Sequence, residues 1–385
     1  MSMPERGVLL DAARQTAGLD NFGDTWFFDH MDKFIESIND DARLNEEGLG
    51  GAQGMVINAM VNRLRHVELV RQNPEIKELP VDVSAIVVGL PRTGSTMMHR
   101  MLSSAKGMTG VKWYETQNYA PFPGETQGDS SQRREAAKGI LAYMVEKIPE
   151  IMSIHPMNID QPDEEVIILG QLFSSSMLEA SYYVPTYAAW LATQDSEQAY
   201  KDLREIYQAF MWQDPSRHGK KWVLKTPGHL MALDTAMKVF QDAKIVMTHR
   251  DPVSTVPSYC SMESTLYRMV SEDITHVMVG DYWFERLSQW TDSFISVRSK
   301  SPENRFVDVK YPELLKDPVG QGQRVLEAAG VNVTPDVIVD MGQWIEANKR
   351  EDRAPHKYDI SDFGLSEDMI KEKFAVYRQN YLGDG

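Results

Sequence analysis

Four short runs rich in valine and isoleucine stand out from an otherwise helix-like pattern: SAIVVGL (84–90), KWVLKT (221–226), KIVMTH (244–249) and RFVDVK (305–310). Each is too short and too uniformly apolar for a half-exposed strand, and helical spacing follows three of them directly. They are therefore expected to be buried strands of a parallel sheet flanked by helices, an α/β fold. Residues 1 to about 80 carry helical spacing in FFDHMDKFIESI and MVINAMVNRLRHVELV and close at Pro74 to Pro80, which marks 1–80 as an N-terminal helical segment ahead of a main unit, 81–385. Between the first two strands lies an insertion, 117–218. It opens with a polar loop, PFPGETQGDSSQRRE, and continues as helices rich in methionine and aromatic residues, FSSSMLEASYYVPTYAAWL. The plain reading of that composition is helix core; the other is an apolar lid over a pocket at the carboxyl ends of the strands. A helix from about Asp273 to Arg298 places Trp283, Phe284, Leu287 and Trp290 at helical spacing.

Composition narrows the class. The chain has 385 residues, 42% of them hydrophobic, enough for a full core. Its net charge of −16, from 40 basic and 56 acidic residues, repels polyanions and argues against a nucleic-acid coat or a membrane-surface protein. An anionic ligand must therefore be held by a local cluster. The single cysteine, Cys260, excludes an internal disulfide and a thiolate metal cluster, and fits a reducing compartment. The opening MSMPERGVLLDAARQ lacks the apolar stretch of a signal peptide, and no apolar run approaches the ~18 residues of a membrane span. A cytoplasmic protein is the expectation.

The candidate chemistry begins in GLPRTGST, which matches the phosphate-loop pattern G-x-x-x-x-G-K-[ST] at every fixed position except one: Ser95 replaces the lysine, and Arg92 precedes it. Strand, glycine turn and helix start still aim backbone N–H groups at an anion. What is lost is the cation on the outer phosphates. No strand-terminal aspartate offers itself for Mg2+ either, since Asp308 lies mid-strand. A sulfuryl group, with one negative charge fewer than a phosphoryl group, could be carried by an arginine fork and backbone donors without metal. A second signal, IVMTHRDPVSTVPSYCSM, places Arg250 at a strand end and Ser258 about two helical turns later, where the two can converge on a second phosphate. Each motif also has a plainer reading, a glycine-permitted turn and an Arg-Asp brace.

Together GLPRTGST and THRDPVSTVPSY resemble the 5'-phosphosulfate loop, in its arginine form, and the 3'-phosphate motif of sulfotransferases. The resemblance implies a phosphate-loop-like fold, the co-substrate 3'-phosphoadenosine-5'-phosphosulfate, and in-line transfer to an alcohol or other nucleophile without metal. It implies a donor cradle of Arg92, Thr93, Gly94, Ser95 and Thr96, with Arg250 and Ser258 on the 3'-phosphate and Tyr311, in VKYPELLKDP, at the adenine. Met97 stands where cytosolic members stack a tryptophan, so the adenine partner stays open. Lys225 resembles the strand-end lysine near the leaving oxygen. Pro227 replaces the histidine base of cytosolic members; Glu115 in VKWYETQ resembles the glutamate base of tyrosylprotein sulfotransferases and is the candidate base, with His229 in reserve.

Three further assignments complete the expectation. The group His155, Asp160, Asp163, Glu164 and Glu165 tempts a metal reading, but acids at a helix start are explained by the helix dipole; the segment resembles ones in bacterial members of the family, which implies His155 or Glu165 in the acceptor pocket. The basic stretch NKREDRAPHKY could fold over the 3'-phosphate through Arg353, His356 or Lys357, or remain a solvated loop. The apolar insertion points to a bulky or apolar small-molecule alcohol as acceptor. Two alternatives stay open at this level: a phosphate-loop kinase or nucleoside triphosphatase with a displaced cation, and a catalytically inactive nucleotide-binding protein of the same fold.

Overall fold

The computed structural model describes residues 2–149, 151–154, 156–348 and 359–383. Among these the chain forms one parallel sheet of five strands: β1 (Val83–Val88), β2 (Met108–Thr109), β3 (Lys221–Lys225), β4 (Lys244–His249) and β5 (Phe306–Lys310), in the order β2-β3-β1-β4-β5. All four expected strands are present. The two-residue β2 was not expected, because a run that short leaves no periodicity to read.

Burial on both faces explains the apolar runs. Along β1, Ala85 and Val87 face one layer, packed on Met98, Met101 and Leu102 of the Ser95–Ser104 helix and on Val325 and Met341. Ile86 and Val88 face the other, with Leu203, Phe210, Leu287 and Trp290. The period of two across a pleated strand places alternate residues in separate cores, so every position must be apolar. The helix expected over 273–298 runs His276–Ser299, with Trp283, Leu287 and Trp290 buried and Phe284 half-buried.

The N-terminal residues form three helices, Arg6–Ala17, Phe28–Asp40 and Glu46–Gln72, followed by a short 3-10 turn at Pro74–Glu78. Their core is shared: Phe27, Met31, Phe34 and Ile38 pack with Phe173, Leu178, Tyr182 and Tyr187 from the insertion. Much of the aromatic content of FSSSMLEASYYVPTYAAWL is therefore core that joins two helical regions to each other.

The chain leaves β1 through Gly89, whose φ of 146° is open to glycine but strained for other residues. A Cβ there would stand 2.4 Å from the Thr248 hydroxyl and 2.6 Å from the Thr248 carbonyl oxygen, both on β4. The loop thus lies directly against the neighbouring strand. Gly89→Ala is expected to destabilise the fold by about 1–3 kcal/mol or more, because backbone must shift to admit the methyl group. Thermal unfolding followed by circular dichroism checks this, and an unchanged melting temperature would contradict it.

Candidate active site

The carboxyl edge of the sheet collects the strand-end residues. After β1 the loop turns through Arg92, at φ 70°, and Gly94, at φ 89°, into the Ser95–Ser104 helix. A left-handed arginine costs on the order of 1–3 kcal/mol and persists where its surroundings impose it. Those surroundings are visible. Arg250, just past β4, donates from Nη1 to the Arg92 carbonyl oxygen (2.9 Å), and its guanidinium carbon lies 4.4 Å over the Tyr311 ring, just past β5. The same ring packs on Gly94, where an added Cβ would come within 3.1 Å of it. Arg92, Gly94, Arg250 and Tyr311 therefore meet at one corner.

Thr93 plays a different part from its neighbours. It is fully buried; its hydroxyl donates to the Leu90 carbonyl (2.7 Å) and lies 2.6 Å from the Thr248 hydroxyl, itself bonded to the Val88 carbonyl. Its side chain sutures the loop to β4 and leaves only its backbone for a ligand. Ser258 is half-buried on the Pro252–Val270 helix, which Asp251 caps by accepting from the Val253 N–H (3.0 Å). Met97 packs with the apolar layer beneath the loop helix.

Lys225 closes β3. Its side chain is 3% exposed, and its ammonium donates to the Thr96 hydroxyl (3.1 Å) and pairs with Glu164. The acids after Pro162 are each taken by a different cation or histidine rather than by a shared metal or the helix dipole. Asp163 holds Arg100 (2.9 Å), Glu164 holds Lys225, and Glu165 accepts from the Lys225 backbone N–H (3.1 Å) and meets His229 Nε2 (2.5 Å). Asp160 pairs with Arg134. Asp308, the mid-strand aspartate, is bound by Arg298 and by His249 Nε2 (2.7 Å). Among the described residues no group of three or more histidine, cysteine or acidic side chains is arranged to hold a metal.

Beside the loop opens a cavity of about 390 Å³. Arg92, Ser95, Thr96, Glu164 and Lys225 line its polar end, and Met144, Met157, Met177, Met262, Leu266 and Met269 line its body. That volume and polarity suit a small apolar molecule with a polar end. Ser176, Met177, Ala180, Ser181 and Tyr182 of the insertion also line it, so that segment is core on one side and cavity wall on the other.

Three sequence-level assignments are corrected by this geometry. Glu115 is buried away from the cavity: both of its oxygens accept from Arg217 Nη2 (2.8 and 2.9 Å), and one also accepts from the Lys112 N–H (2.7 Å) as a helix cap. It is not placed to take a proton from a ligand. Nor is His229, fully buried between the Tyr200 hydroxyl (2.6 Å) and Glu165. Glu165 itself is wholly buried behind the cavity wall. Burial alone would raise its carboxyl, but His229, His99 and the Lys225 N–H hold it below the usual carboxylate range. His155, Arg353, His356 and Lys357 lie outside the described residues. Of the acids that line the cavity, Glu164 is the one paired with Lys225 beside the loop. Its signal in the sequence was three successive acids ahead of a helix too short to need them.

Comparison with known proteins fits this picture. The sulfotransferase family profile matches residues 85–335, and the chain belongs to that family. Omega-hydroxy-beta-dihydromenaquinone-9 sulfotransferases of Mycobacterium bovis and Mycobacterium tuberculosis are 25% identical to it over 270 residues, which cover 65% of this chain and 63% of theirs. The crystal structure of sulfotransferase STF1 from Mycobacterium tuberculosis superposes with a TM-score of 0.86 at 26% identity, over 97% of this chain and 99% of that one. STF9 from Mycobacterium avium shares the fold with a TM-score of 0.87 at 21% identity, over 99% of this chain and 97% of that one. No helix among the described residues is long and apolar enough to cross a membrane.

The buried Glu115–Arg217 pair has a measurable consequence. Removing one partner strands the other charge, so Glu115→Ala is expected to lower unfolding stability by about 3–5 kcal/mol. Chemical denaturation reads this directly; a variant of normal stability that had lost only turnover would return Glu115 to the list of catalytic candidates.

Proposed function

We propose that the chain transfers a sulfuryl group from 3'-phosphoadenosine-5'-phosphosulfate to the hydroxyl of a bulky, apolar acceptor. The observation that carries this reading is Lys225, buried at the end of β3 and bonded at once to Thr96 of the loop and to Glu164 of the cavity wall. One ammonium thereby touches both the expected donor site and the expected acceptor site.

The roles follow from placement. Arg92, the loop backbone and the N-terminus of the Ser95–Ser104 helix would hold the 5'-phosphosulfate, and Arg250 with Ser258 the 3'-phosphate. The Tyr311 ring, already stacked by Arg250, would meet the adenosine. In an in-line transfer the acceptor oxygen forms the new S–O bond as the sulfur-to-phosphate oxygen bond breaks, and that electron pair goes to the departing bisphosphate. Lys225 would stabilise this charge, and Glu164 would take the hydroxyl proton. Family membership supports the transferred group, and the methionine-rich cavity supports an apolar acceptor. So does the relative named for a dihydromenaquinone alcohol. A phosphate-loop kinase is disfavoured because Asp308, the strand aspartate weighed for Mg2+, is bound to Arg298 and His249.

Calorimetry tests the donor assignment. Adenosine 3',5'-bisphosphate is expected to bind with or without Mg2+, ATP more weakly, and Arg250→Ala to lose about 1.5–3 kcal/mol of bisphosphate affinity as a charge-assisted contact disappears. Mg2+-dependent preference for ATP would instead favour the kinase reading. For the base, Glu164→Gln should keep bisphosphate affinity within a small factor and lower the rate of transfer from labelled donor by about 100-fold or more. Undiminished transfer would remove Glu164 from that role.

A further inference from the structure

The Pro252–Val270 helix gives the cavity a wall whose residues recur at helical spacing: Tyr259, Met262, Leu266, Met269 and Val270. One acid, Glu263, interrupts this apolar stripe and lines the same cavity. It is 0% exposed, and neither carboxyl oxygen has a partner at hydrogen-bond geometry. The other buried acids around the site are all satisfied: Glu115 by Arg217, Asp163 by Arg100, Glu165 by His229, and Glu179 by Arg286. Glu263 alone among these has no cation, and the Tyr259 hydroxyl that acts on it falls short of hydrogen-bond geometry.

Burial pushes its carboxyl well above the usual range. The Tyr259 hydroxyl, one turn earlier, opposes this without reaching hydrogen-bond geometry, and the nearby Glu179 charge adds to the rise. Such a setting favours the neutral acid, which has one O–H to donate and an oxygen left to accept. Leaving such a group unbonded in an apolar wall costs about 1–3 kcal/mol, which a leucine in its place would not incur. The cost is recovered when the side chains covering it part and a ligand brings an oxygen to it.

We propose that Glu263 is a specificity-determining residue of the acceptor cavity, hydrogen-bonding as a neutral acid to a carbonyl or hydroxyl oxygen carried on the apolar body of the acceptor. The inference rests on the cavity being the acceptor site of the proposed reaction. It goes further in stating what kind of alcohol fits: one with a second neutral oxygen, distinct from the hydroxyl that receives the sulfuryl group, rather than a plain aliphatic alcohol or an amine.

Trp113 and Trp290 line the cavity, so intrinsic fluorescence can report binding there. The probes are dodecanol and a series of its keto derivatives with the carbonyl moved along the chain, titrated with adenosine 3',5'-bisphosphate present. One carbonyl position is expected to bind about three- to tenfold more tightly than dodecanol, the effect of one neutral hydrogen bond. E263L should erase that preference while leaving dodecanol as tight or tighter, and E263Q, which keeps a donor and an acceptor, should retain it. The infrared difference between wild type and E263Q at neutral pH should also show a protonated-carboxyl band, a readout that needs neither a ligand nor the leucine variant. A flat keto series, a preference that survives E263L, the absence of that band, or tighter binding of dodecylamine than of dodecanol would each overturn the proposal. Loss of bisphosphate binding in folded wild-type protein would remove the proposed function itself, and this inference with it; normal bisphosphate binding with a flat keto series would remove only the inference.

Discussion

Lys225 is the residue on which the arrangement depends. Taking an ammonium and a carboxylate out of water costs several kcal/mol per ion, and apolar residues in their place would often be at least as stable. Stability alone therefore gives no reason to end a buried strand in lysine. The arrangement makes sense as a positioning device. Its backbone N–H is held by Glu165, its ammonium by Glu164 and Thr96, and Glu165 is steadied in turn by His229 and Tyr200. The insertion, the sheet edge and the loop helix are thereby tied together at one side chain.

The same logic extends along the edge of the sheet. Arg250 fixes the Arg92 carbonyl, Tyr311 fixes Arg250 and packs on Gly94, and His249, just before Arg250, is set by Asp308 and Tyr377. Neighbouring parallel strands end side by side, so Arg92 past β1, Lys225 at the end of β3 and Arg250 past β4 bring three cations to one edge in a protein of net charge −16, with Tyr311 past β5 beside them.

That topology explains what could be read in advance. A doubly buried strand must be apolar throughout, which made β1, β3, β4 and β5 visible, and residues that follow strand ends share an edge wherever the strands lie in the sheet. Arg92, Lys225 and Arg250 could be set on one edge on that ground, whereas Tyr311 was nominated by the resemblance to sulfotransferases and lies on the same edge. Glu115 was not, because its role depends on Arg217, 102 residues away, and no local pattern says which of two nearby acids meets a cation and which meets a cavity. His229, held as the reserve base, and Glu165, set at the pocket by family resemblance, instead satisfy each other behind the wall. Glu263 left only a faint trace, an acid in an apolar helical stripe, whose weight depends on knowing that the stripe faces empty space. The aromatic insertion had two readings, and both apply, to opposite sides of the same helices.

The most direct test of the central claim is a crystal structure with adenosine 3',5'-bisphosphate bound. The account predicts its 5'-phosphate on the Arg92–Thr96 backbone within reach of the Lys225 ammonium, and its 3'-phosphate on Arg250. Bisphosphate bound elsewhere on the surface, or seated at this corner with Lys225 still bonded only to Glu164 and Thr96 and turned from the phosphate, would contradict it.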